Sequence, residues 1–124
     1  LETVLHLWDV RNAIGAPVRI PAPLAALGVR EVLNDLYPRQ VRLGRMAPLR
    51  CSLEIGLLDD HGGREETLLL GPAQARGDSA AAIELPAMEA LLLLWKRRTI
   101  DDVATRRSGS ERALQNVLSS ALVP

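Results

Sequence analysis

Glu2 and His6 stand four positions apart in the opening stretch Leu1-Glu-Thr-Val-Leu-His-Leu-Trp-Asp-Val10, and Asp9 follows three residues later. In a helix this spacing stacks a carboxylate and an imidazole one turn apart on one face. Such a pair can hold one divalent cation. Zinc takes three or four protein ligands, so Glu2 and His6 are half of a site by themselves. The plainer reading is an i,i+4 contact on a solvated helix, worth a few tenths of a kcal/mol. Asp9 either accepts a hydrogen bond from His6 or serves the helix end. Leu1, Val4, Leu5 and Trp8 form an apolar stripe beside the polar one. The chain starts inside this helix with no capping residue before it, which reads as the end of something larger.

Other chemistry-bearing residues are more isolated. Asp59-Asp60-His61 could chelate a cation, but the following Gly62-Gly63 makes a solvated turn the simpler expectation. Cys51 alternates with polar residues in an aliphatic series, which predicts an inert core thiol. Being the single cysteine, it rules out an intramolecular disulfide and suits a reducing compartment, the cytoplasm. Arg97 and Arg98 follow an apolar helix; they could grip a substrate carboxylate bidentately or offset the helix dipole at the surface. No phosphate-cradling glycine loop and no nucleophile elbow is present.

The elements that must position these residues follow from periodicity. The first helix should end near Ala13, with Gly15 beyond it. The three prolines of Ala16-Pro-Val-Arg-Ile-Pro-Ala-Pro23 predict an extended connector and a domain boundary. A helix from Leu24 should end or kink at Pro38. Leu49, Cys51, Leu53, Ile55 and Leu57 alternate with polar or small residues, the period of a half-buried strand. Asp59 to Gly63 then turns the chain into a second strand over 65–70. A third strand over 80–85, a helix over 87–96, a short strand over 100–105 and a helix capped by Ser110 complete an α+β domain.

Composition narrows the partners. The chain has 124 residues, enough for one domain with a real core. Its 15 basic and 15 acidic residues balance, so no net field favours nucleic acid or an anionic membrane. The apolar run Ala90 to Trp95 is too short to span a bilayer.

Two segments together resemble a known family. Glu2-Thr-Val-Leu-His6-Leu-Trp8-Asp9-Val10, followed by a helix containing Glu31-Val-Leu, resembles the junction of mycothiol-dependent maleylpyruvate isomerase-like proteins. Those join a DinB-like, four-helix metal-binding bundle to a C-terminal domain. Ala82-Ile-Glu-Leu-Pro-Ala-Met-Glu-Ala-Leu-Leu-Leu-Leu-Trp95-Lys-Arg97-Arg-Thr-Ile-Asp101-Asp-Val103 looks like that domain's signature, a strand and a Leu-rich helix ending in a Trp-Gly-Arg-type tripeptide. This part is also similar to sterol-carrier-protein-2-like domains.

The resemblance implies a division at residues 1–15, the last helix of a bundle, and 16–124, a sterol-carrier-like α+β domain with an antiparallel or mixed sheet. It implies that Glu2 and His6 are two of three protein ligands to a divalent metal, usually zinc, the third histidine having no counterpart here. Arg97 matches the tripeptide arginine, which implies contact with an acidic substrate or support of the interdomain cleft. The implied chemistry is thiol-assisted cis-to-trans isomerisation, with the metal lowering the pKa of the mycothiol thiol. Without the rest of the bundle, this chain should bind neither metal nor mycothiol and should not turn over substrate. The pattern departs at Lys96 for the tripeptide glycine, at Leu7 for the arginine after the histidine, and at Ser108-Gly109-Ser110 for a Gly-Asp before the last helix. The rival expectation is a non-catalytic module that takes an apolar ligand or forms a homodimer.

Overall fold

The computed structural model describes residues 2–15 and 19–124, with the side chains of Glu2 and Thr3 outside that description. Helix α1 spans Glu2–Ala13, as its apolar spacing predicts, and Gly15 beyond it has φ +75°. Part of the expected connector, residues 16–18, lies outside the described residues. The rest is shorter than expected. Helix α2 already begins at Ala22 (Ala22–Glu31), because Pro23 in its first turn presets the helical φ and has no N–H to satisfy.

Pro38 kinks the next helix without ending it. A π turn covers Val32–Leu36, with the Tyr37 N–H donating to the Val32 carbonyl, and α3 resumes over Tyr37–Arg42. A wide turn of this kind accommodates a proline that cannot donate in the ordinary ladder. Gln40, buried in α3, donates from Nε2 to the carbonyls of Ala121 (3.0 Å) and Val123 (3.2 Å) and so fastens the C-terminal segment.

Four strands follow: β1 Ser52–Leu58, β2 Arg64–Leu70, β3 Ala80–Pro86 and β4 Arg106–Gly109. Their order is β2-β1-β3-β4, and the sheet is mixed. The expected hairpin pairs β1 with β2 antiparallel; β1 and β3 run parallel, and β4 closes antiparallel on β3. Register places Leu53 beside Ala81, Ile55 beside Ile83 and Leu57 beside Leu85. These six are almost fully buried, in one cluster with residues of α2, helix α4 (Ala87–Leu94) and helix α5 (Glu111–Leu118). Glu54, Gly56, Ala82 and Glu84 point to the other face. There Arg64 crosses over Gly56 to reach Glu84 at 3.3 Å, a path that a side chain at position 56 would obstruct.

The last expected strand is displaced. Residues Ile100–Asp102 form a 3-10 turn, because Thr99 and Asp102 cap each other reciprocally, and the strand begins only at Arg106, just past its expected end at 105. Gly109 then has φ +83°, where a side chain would meet the Ala80 carbonyl oxygen at 2.8 Å. Ser110 caps α5 as expected, its Oγ accepting from the Ala113 N–H at 3.1 Å.

Candidate functional site

Helix α1 is held by one face. Leu5 is fully buried and Trp8 is 6% exposed, both within the core cluster. About half a turn around the helix, Leu7, Val10 and Ile14 are 47%, 59% and 71% exposed. An apolar stripe on each side is not the pattern of a helix with one dry face and one wet face. His6 is exposed and sits one turn before Val10, bordering the uncovered stripe. The Glu2 side chain lies outside the described residues. Among the described residues, no group of three or more His, Cys, Asp and Glu side chains is gathered as for a metal ion.

Arg97 faces α1. Its Nε donates to Asp9 Oδ1 at 3.1 Å and its Nη2 to Asp9 Oδ2 at 2.8 Å, a bidentate pair between residues 88 positions apart. The third nitrogen, Nη1, donates to the Trp95 carbonyl at 2.9 Å. This hydrogen bonding holds the Asp9 carboxyl below its ordinary 3.8 and pushes the Arg97 guanidinium up, with desolvation opposing both shifts. Asp9 is thus committed to Arg97, a pairing that neither expected role for it included. Arg98 places its guanidinium 5.4 Å from the Trp8 ring centroid, a cation–π contact that adds to the same seam.

The backbone explains how two arginines reach α1. Helix α4 ends in a Schellman motif: Arg97 N–H donates to the Leu92 carbonyl (2.8 Å) and Lys96 N–H to the Leu93 carbonyl (3.1 Å). Lys96 occupies the left-handed position, with φ 61°. The reversal turns Arg97 and Arg98 back toward α1 instead of letting them continue along the helix axis. Lys96 itself reaches the Leu118 carbonyl at 2.6 Å, and partial burial lowers its pKa.

The remaining candidates stay apart from this seam. Asp59 Oδ1 accepts from the N–H groups of His61 (2.8 Å) and Gly63 (2.9 Å), which lowers its pKa and makes the carboxylate part of the hairpin turn. His61 is exposed, and Cys51 is buried at 4% exposure in the core. No helix among the described residues is long and apolar enough to cross a membrane. The pairing of Asp9 with Arg97 had no signal in spacing. Its only trace was the complementarity of Trp8-Asp9 with Arg97-Arg98.

In comparisons with family models, curated proteins and solved structures, nothing matches this chain. What the structure defines directly is a layered α+β unit with a mixed sheet and a helix docked on it through a charged clamp.

Proposed function

We propose that the chain is the C-terminal portion of a metal- and mycothiol-dependent maleylpyruvate isomerase-like enzyme. Residues 1–15 are the last helix of its metal-binding bundle, and residues 16–124 are its sterol-carrier-like domain. One observation carries this reading: the two segments on which the resemblance rests meet each other, through Asp9–Arg97 and Trp8–Arg98. Two further features support it. The residue standing where the family has glycine, Lys96, is in the left-handed conformation that glycine favours. Gly109-Ser110 repeats the roles of a Gly-Asp pair, a left-handed glycine followed by a helix-capping oxygen.

In this reading the uncovered stripe of Leu7, Val10 and Ile14 packs against the other helices of the bundle, and His6 projects at the edge of that interface. Glu2 and His6 would hold the metal together with a histidine from outside this chain. The metal, when bound, supplies a Lewis acid that favours thiolate at neutral pH. Arg97 positions the bundle on the domain through Asp9, its guanidinium also lying 5.9 Å from the Trp95 ring centroid.

Calorimetric zinc titration tests the reading. The 124-residue chain should show no tight site, and the full-length gene product should show one that His6→Ala abolishes. Full-length binding indifferent to His6→Ala would overturn the proposal. The rival use of the stripe, a homodimer, predicts instead a concentration-dependent dimer that Val10→Glu dissociates, read by sedimentation equilibrium.

A further inference from the structure

Ile20 belongs to the segment that leads from α1 into α2, and it is 2% exposed. Its backbone N–H donates to the sulfur of Met88 at 3.5 Å, across 68 positions of sequence. Met88 lies in the first turn of α4, partly buried against the core. A thioether is a weak acceptor, so this N–H is held by one of the poorest partners a side chain offers. Met88 also keeps part of its surface in solvent, and the second lone pair of the sulfur is not used by this bond. Met46, the other methionine of the chain, is partly buried on the core as well. No hydrogen bond reaches its sulfur among the described residues.

We propose that Met88 is a site of reversible oxidation that sets how firmly the segment between α1 and α2 is fastened to the domain. The oxidant is hydrogen peroxide. The sulfur lone pair takes one of its oxygen atoms: the O–O bond breaks, an S–O bond forms, and the peroxide leaves as water while the thioether becomes a sulfoxide. The thioether packs as an apolar group, whereas the sulfoxide is polar. Burying that new polar group without a partner is costly, so the flexible side chain turns it toward solvent. The Ile20 N–H then loses its acceptor. Enzymatic reduction of the sulfoxide restores the bond. This switch is separate from Glu2 and His6 and does not depend on the reading of α1 as a bundle helix.

The test follows the Ile20 amide by hydrogen exchange in the 15N-labelled chain before and after hydrogen peroxide, each added oxygen being located by peptide mass. Met46→Leu leaves Met88 as the only methionine, and Met88→Leu is the converse; both swaps nearly conserve volume, which cores tolerate. In oxidised Met46→Leu the Ile20 amide should exchange about threefold faster or more, while β1 and β3 keep their protection. Met88→Leu should show that acceleration without peroxide and no further change with it. Methionine sulfoxide reductases should return oxidised Met46→Leu to its starting rate. An Ile20 rate unchanged by oxidation or by Met88→Leu overturns the proposal. So does acceleration that spreads equally to β1 and β3, acceleration that survives complete reduction, or a Met88 that stays unoxidised while Met46 of the native chain reacts.

Discussion

The core and the α1 seam hold the chain by different means. In the core, Leu53, Ile55, Leu85 and Leu91 show at most 0% exposure, and each such side chain contributes roughly 1.5–3 kcal/mol by leaving water. At the seam, α1 keeps Leu5 and Trp8 buried with Val4 packed beside them, and adds a partly exposed ion pair and a cation–π contact, each worth about 1 kcal/mol or less. The expected outcome is that the core unfolds as a unit, whereas α1, with fewer buried side chains, opens at lower cost than the sheet. A detachable helix with a second apolar face suits an element shared between two bodies. A core helix such as α4, buried along its length, has no such freedom.

The largest effect should come from the core. Leu91→Ala should cost about 2–5 kcal/mol in urea unfolding, since it removes a fully buried side chain from a helix packed on the sheet. A loss under about 1 kcal/mol would mean that the core is looser than its burial implies. Next comes Gly71→Ala. With φ +96° and the Cys51 carbonyl against the position of a Cβ, the substitution should cost on the order of 2–3 kcal/mol. Both losses should appear as lower global stability, with protection of α1 and the sheet falling together in hydrogen exchange.

Asp9→Asn should behave differently. It removes the charge from the clamp, and amide protection in α1 should fall by about 1 kcal/mol while protection in β1 and β3 stays unchanged. If β1 weakens equally, α1 belongs to the core and the contrast fails. Acid should imitate the substitution. The Asp9 carboxyl is held below its ordinary 3.8, so its contribution is complete above that value and is lost as pH falls below it through the folded-state pKa. Wild-type α1 should loosen in that window, and Asp9→Asn should show no matching step.

The same contrast separates what the sequence made legible from what it hid. Local patterns announced most of the core: the alternation from Leu53 to Leu57, the Asp59–Gly63 turn and the Ser110 cap all lie in elements of the expected kind. The displaced strand is instructive. Ile100 and Val103 invited an extended reading, but Thr99 and Asp102 satisfy each other's backbone and tighten the chain before β4 begins. The parallel pairing of β1 with β3 was left open because alternation reports a face and says nothing of strand direction. The seam was least legible of all. Spacing could stack His6 on Glu2, yet the Asp9–Arg97 clamp depends on where a helix reversal aims a side chain 88 residues away.

Lys96 supplies the smallest and most discriminating test of that reversal. A left-handed residue with a side chain costs about 1–2 kcal/mol, which glycine avoids. Against this, Lys96→Gly gives up the hydrogen bond to the exposed Leu118 carbonyl region and adds freedom to the unfolded chain. The net should be a gain of roughly 0.5–1 kcal/mol in urea unfolding. If Lys96 serves only as a turn, Lys96→Gly should leave α1 protection equal to or above that of the native chain, because the Schellman bonds that aim Arg97 are backbone bonds. A stability gain accompanied by loss of α1 protection would instead show that the lysine stem itself braces the seam. Either result separates the stability of the reversal from its role in presenting Arg97 to Asp9.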